Sequence, residues 1–185
     1  MNIEKDVESV LVSEKKLAEI VERLAAEITA DYKDSPRKLV ILSLLKGSLV
    51  FTADLIRKID LPLELEFMKV SSYGSSTVSS GQLKISLGLN REDMNDVDIL
   101  IVEDIVDSGR TLCNLKPYLY ERGAESVKIC TLLDKPSRRE YDLTPDYCGA
   151  VIPDKFVIGY GLDYDENYRN LPYVGVLRPE VYMNN

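Results

Sequence analysis

At 185 residues, 45% of them hydrophobic and 29% charged, the chain has the size and balance of one ordinary globular domain over 1–185. A net charge of -8 sets it against a nucleic-acid backbone, so no nucleic-acid partner is expected. The absence of histidine removes the commonest general base, the Ser-His pairing and the commonest zinc ligand, leaving chemistry to carboxylates, Lys, Tyr or a bound ion.

The first sixteen residues, "MNIEKDVESVLVSEKK", are charged throughout, unlike a signal peptide, and no apolar run approaches the roughly 20 residues that span a bilayer. Cys113, Cys130 and Cys148 are odd in number and widely spaced, as reduced core thiols would be. A cytoplasmic location with no membrane partner is expected.

From Ser13, a fitting N-cap, apolar residues recur at Leu17, Ile20, Val21, Leu24, Ala25 and Ile28, the spacing of a helix with one buried face. "LVILSLL" (39–45) is a continuous aliphatic run of the kind found in a parallel strand covered on both faces, and "SLVFTADLIRKI" follows as a helix. "LELEFMKV" (63–70) and "QLKISLGL" (82–89) read as two strands of a hairpin. Between them "SSYGSSTVSSG" is almost entirely small and polar, either a plain loop or a lid that orders on a ligand.

"DVDILIV" (96–102) is a second buried strand, followed by a helix from Gly109 in which Pro117 predicts a kink or an early end. "SVKICTLL" (126–133) and "KFVIGYG" (155–161) read as a third and a fourth parallel-type strand, with "YVGVL" (173–177) at an edge. That order is α/β with a mainly parallel central sheet flanked by helices, without an internal repeat.

Chemistry concentrates in "ILIVEDIVDSGRTL" (99–112), where a buried strand runs into Glu103, Asp104 and Asp107 and then into Ser108, Gly109, Arg110 and Thr111. Ligands of open α/β sheets sit beyond the carboxyl ends of the strands, and free N–H groups from Asp107 to Thr111 at a helix N-terminus suit one anion. There is no Walker loop and no GxGxxG. Like charges about 4 Å apart repel by roughly 4 kcal/mol at an effective dielectric of 20, so the acids must face something other than a bound phosphate. Vicinal sugar hydroxyls or hydrated Mg²⁺ fit, and with the loop they describe a site for a phosphorylated ribose. The other reading is that Asp107 and Ser108 cap a helix while Glu103 and Asp104 are solvated at a strand end.

The full string "VEDIVDSGRT" resembles the phosphoribosyl pyrophosphate signature of type I phosphoribosyltransferases. "LLKGSLVFTADL", "SSYGSSTVSSG", "LLDKPSRR" and "PDKFVIGYGLDYDENYRNLPYVGVL" extend that likeness, in order, over about 39–178, and resemble the bacterial branch that acts on hypoxanthine and guanine. The resemblance implies the type I fold with a small hood and a flexible lid loop, and the transfer of a phosphoribosyl group to N9 of a 6-oxopurine with Mg²⁺. It implies that Glu103 and Asp104 hold the ribose hydroxyls and serve the metal, that Asp107 is the general base near purine N7, and that Asp107, Ser108, Gly109, Arg110 and Thr111 grip the 5′-phosphate.

It further implies that Lys46 and Gly47 form a pyrophosphate loop with a cis peptide bond, and that Ser72 and Tyr73 close over the pyrophosphate. Arg169 would contact pyrophosphate, Asp163 would serve both the metal and the purine subsite, Lys135 would donate to the 6-oxygen, Phe156 would stack on the purine and the Val157 backbone would read its edge. Taken singly, Lys46 and Lys135 could be solvated lysines, Phe156 a core residue and Asp163 part of an acidic turn. A regulator that senses phosphoribosyl pyrophosphate while binding nucleic acid is the contrasting reading, disfavoured by Asp107 and by the charge. Xanthine is a further candidate base, and the resemblance implies a homodimer or homotetramer.

Overall fold

In the computed structural model the described residues are 3–72, 83–89, 91 and 94–183. Strand β1 (Val7–Val12) leads into helix α1 (Glu14–Tyr32), whose first turn is capped by the Ser13 hydroxyl accepting from the Lys16 N–H at 3.3 Å. The face carrying Leu17, Ile20, Val21, Leu24, Ala25 and Ile28 is buried, as the spacing requires.

The main sheet is built from β2 (Lys38–Leu44), β3 (Leu63–Ser72), β4 (Leu83–Leu87), β5 (Val97–Val106), β6 (Ser126–Asp134) and β7 (Tyr147–Val151), in the order β4-β3-β2-β5-β6-β7. All neighbours pair in parallel except β3 and β4, which form the expected antiparallel hairpin. Alternate residues serve two cores: Leu39, Ile41, Leu100 and Val102 pack on the side of α1 and of α2 (Leu49–Ile56), while Val40, Leu42, Ile99 and Ile101 pack on the side of α3 (Arg110–Glu121). Burial on both faces is why β2 and β5 read as unbroken aliphatic runs. No helix among the described residues is long and apolar enough to cross a membrane.

A second, three-stranded antiparallel sheet joins β1, β9 (Val174–Leu177) and β8 (Val157–Ile158) in the order β1-β9-β8, and the short helix α4 (Pro179–Tyr182) follows it. This is the small hood. Three expectations are corrected. The 155–161 segment is not a fourth parallel strand, because only Val157–Ile158 pairs and it does so in the hood; the fourth parallel neighbour is β7. The 173–177 segment lies at the centre of the hood, bonded on both sides, and not at an edge. Helix α3 runs through Pro117 to Glu121, so the early end does not occur.

Candidate active site

Strands β2, β5 and β6 lie side by side, so their carboxyl ends present three segments together: 45–48, 103–109 and 134–139. Glu103 and Asp104 do not follow β5 but belong to it, and Asp107 is the first residue after it. Glu103 pairs with Thr131 and Val106 with Asp134, so the ladder continues past the last aliphatic residue of the run. Beyond Val106 the chain turns through Gly109 into α3, whose first-turn N–H groups have no acceptors within the helix. A cavity of about 110 Å³ opens there, lined by Glu103 and by Asp107, Ser108, Gly109, Arg110 and Thr111 among others.

Glu103 and Asp104 are densely surrounded by protein. Burial, and then the Asp104 charge, push the Glu103 carboxyl well above the usual range, and its Oε2 is buried without a hydrogen-bond partner. Burial pushes Asp104 up to about 6, against the pull of backbone N–H groups; the Ile105 N–H donates to its Oδ1 at 2.8 Å.

The 45–48 loop is pressed between Asp104 and the hood. A Cβ on Gly47 would stand 1.5 Å from Asp104 Oδ2, and one on Gly161 would stand 2.1 Å from the Gly47 carbonyl oxygen, so only glycines allow this approach. The cis bond of the loop is Leu45-Lys46, one residue before the expected Lys46-Gly47. Lys46 Nζ lies 2.9 Å from Glu166 Oε1, and Arg169 pairs with Asp163 at 2.9 Å and with Glu166 at 3.1 Å while donating to the Gly161 carbonyl at 2.8 Å. Lys46, Asp163 and Arg169 are therefore brought together, beside Asp104.

On the other flank, Asp107 Oδ1 forms an ion pair with Arg138 Nε at 2.9 Å, and Arg138 also reaches Asp154 at 3.4 Å. Arg139 donates to the Asp107 carbonyl at 2.6 Å and pairs with Asp134, while the N–H groups of Glu140 and Tyr141 donate to the Ser108 carbonyl. The segment after β6 thus wraps the 107–109 turn. Lys135 is buried, its backbone N–H donating to the Val106 carbonyl, its Nζ to the Lys155 carbonyl at 2.7 Å. The ammonium also faces Asp154 Oδ1 at 4.0 Å; with three donors and one spent on the Lys155 carbonyl, it has capacity for a ligand.

Phe156 is 39% exposed, stacked on Tyr182 at 5.1 Å and met edge-on by Tyr164 at 5.5 Å. Val157 is buried where β8 pairs with β9. Ser72 ends β3 by pairing with Leu83; its side chain and Tyr73 lie outside the described residues. Arg138, Arg139, Asp154 and Glu166 were not anticipated. The paired arginines of "KPSRR" were the available signal for two of them, but nothing local ties Glu166 to a lysine 120 positions away.

The profile of the phosphoribosyl transferase domain matches residues 9–165. A hypoxanthine-guanine phosphoribosyltransferase of Bacillus subtilis (strain 168) is 53% identical, over 96% of this chain and 97% of that protein. The crystal structure of a hypoxanthine phosphoribosyltransferase from Staphylococcus aureus superimposes with a TM-score of 0.91 at 46% identity, covering 98% of each chain. A variant of the hypoxanthine phosphoribosyltransferase from Trypanosoma cruzi, in a ternary substrates complex, gives 0.90 at 41% identity, over 96% of this chain and 99% of the other. The fold is thus shared with these structures over nearly the whole chain, and the chain belongs to the phosphoribosyltransferase family.

Proposed function

We propose that the chain is a purine-salvage enzyme. It transfers the 5-phosphoribosyl group from phosphoribosyl pyrophosphate to N9 of hypoxanthine, and of guanine, giving IMP or GMP and pyrophosphate. The observation that carries this reading is the end of β5, where two desolvated acids, one with an unsatisfied oxygen, stand beside a backbone loop that opens on a helix N-terminus. Hydroxyl donors of a ribose satisfy the acids, and the 5′-phosphate takes the N–H groups of 107–111. We read residues 1–185 as a single catalytic unit.

In this reading the purine lies between Asp107 and Lys135. N9 forms the new bond to ribose C1 as the C1–O bond breaks and its electron pair leaves with pyrophosphate, while the proton on purine N7 passes to the Asp107 carboxylate. Arg138 holds that carboxylate in place. The positive charge developing on the ribose is favoured by the acids of β5. Lys135 donates to the 6-oxygen and gives nothing to the amino group of adenine, and Phe156 stacks on the ring with the Val157 backbone at its edge.

Mg²⁺ suits these acids, because Glu103 Oε2 lacks a partner and oxygen ligands are what the ion requires. Glu103, Asp104 or Asp163 would hold it, with substrate oxygens and water in its other positions, and it would neutralise the leaving pyrophosphate. Lys46, Gly47 and Arg169 take the pyrophosphate from the other side, with Ser72 and Tyr73 as the covering lid. We place the enzyme in the cytoplasm as a homodimer or homotetramer, a mass that sedimentation velocity reads directly.

The test is product analysis after incubation with phosphoribosyl pyrophosphate, Mg²⁺ and hypoxanthine, guanine or xanthine. IMP and pyrophosphate in equal amounts are expected. Tight binding of phosphoribosyl pyrophosphate with no nucleotide from any base would overturn the reading in favour of a sensor.

A further inference from the structure

The loop that carries Asp163 and Arg169 is held in an unusual backbone. Tyr160, Asp165, Glu166 and Tyr168 all have positive φ, at 52°, 48°, 60° and 74°, a region that side chains other than glycine seldom enter. Such conformations persist only where the surroundings enforce them, and they collect at working sites. Here Tyr164 and Asn167 exchange backbone hydrogen bonds across the turn, and the Glu166 N–H donates to Asp163 Oδ2 at 2.9 Å.

The consequence is the placement of one carboxylate. Glu166 Oε1 takes Lys46 Nζ at 2.9 Å and Oε2 takes Arg169 Nη2 at 3.1 Å, so its two oxygens bridge cations drawn from two separate segments, the loop after β2 and the hood loop. Two oxygens of one anionic group, each on a separate cation, is also how a phosphate would be held. Lys46 and Arg169 are the cations assigned above to pyrophosphate.

We propose that Glu166 is an internal counter-ion for the pyrophosphate subsite: it occupies Lys46 and Arg169 when no ligand is present, and so lowers affinity for pyrophosphate and phosphoribosyl pyrophosphate alike. This inference rests on the proposed phosphoribosyl transfer. An incoming diphosphate must break both ion pairs and then lie beside the displaced carboxylate. Glu166 is 64% exposed, so it passes into water at small cost, and the penalty is moderate. The device keeps the cations neutralised between turnovers and eases release of the product.

The experiment compares the full chain with Glu166→Gln and Glu166→Asp, the second keeping the charge but shortening its reach. Calorimetry with inorganic pyrophosphate and Mg²⁺ gives Kd, and initial rates give KM for each substrate. In Glu166→Gln the pyrophosphate Kd and the KM for phosphoribosyl pyrophosphate are expected to fall together by roughly fivefold, with the KM for hypoxanthine unchanged. Glu166→Asp is expected to shift both in the same direction by less. Unchanged or weakened pyrophosphate binding in both variants overturns the proposal. Failure of the underlying reading is a separate result, the absence of nucleotide formation by the unaltered chain whatever the ratio of the pyrophosphate constants.

Discussion

Acidic side chains meet the site from two directions and are treated differently on each. At the end of β5, Glu103 and Asp104 are packed into protein, and burial raises the pKa of both. In the hood loop, Asp163 and Glu166 are more open to water and already paired with Arg169 and Lys46. A desolvated acid with an unsatisfied oxygen destabilises the free chain until a ligand meets it, whereas a solvated, paired acid must be displaced before a ligand can enter. On the proposed function the parallel sheet supplies binding groups in waiting, and in the hood Glu166 is the group that must be displaced before a diphosphate enters.

The largest effect expected on the sheet side is at Asp107. Asp107→Asn keeps the shape and the loop but cannot accept the purine proton, so kcat should fall roughly a thousandfold while phosphoribosyl pyrophosphate still binds. Initial rates and a binding titration check both halves; a kcat within about threefold of the parent would remove Asp107 as general base.

Next in size is Lys135→Ala, which takes a charged donor from the base subsite and leaves the Lys155 carbonyl without it. A loss on the order of a hundredfold in kcat/KM for hypoxanthine is expected, with the KM for phosphoribosyl pyrophosphate unmoved. Equal losses for both substrates would mean that Lys135 supports the fold and not the base.

Asp104 sharpens the comparison through pH. Its folded pKa of about 6 lies above the ordinary 3.8, so the folded state holds its proton more tightly; the resulting stability is fully present below the unfolded value and is lost as pH rises through about 6. Asp104→Asn should therefore stabilise the ligand-free chain at pH 8 by on the order of 1–2 kcal/mol, with little change near pH 3.5, while weakening phosphoribosyl pyrophosphate. Denaturant melts at the two pH values decide it, and parallel profiles for the two chains would show that Asp104 bears no desolvation penalty. Smallest is Ser13→Ala, which removes the α1 cap and should cost about 1 kcal/mol in the same melts with kcat unaltered.

Strands β2, β5 and β6 were legible because both their faces are buried and their central residues are largely aliphatic. The end of β5 was misjudged because Glu103 and Asp104 break the hydrophobic run while the ladder to β6 continues beneath them. Strand β7, "YCGAV", is short and carries a glycine, and β8 has two residues, so neither stands out against its flanks. In "VESVLV" no alternation of apolar and polar residues marks the strand, and charge on either side conceals it further. The turn over 107–111 that opens α3 was legible since its residues are contiguous. The contacts of Glu166 with Lys46 and of Arg138 with Asp107 were not, because they exist only once the hood and the turn after β6 have folded over the strand ends.

The measurement that bears most directly on the account is kcat/KM for hypoxanthine and for adenine, taken in parallel with saturating phosphoribosyl pyrophosphate and Mg²⁺. Lys135 beside a 6-oxygen predicts turnover of hypoxanthine and a preference over adenine of at least about a thousandfold. Comparable use of adenine, or no nucleotide from either base, would contradict it.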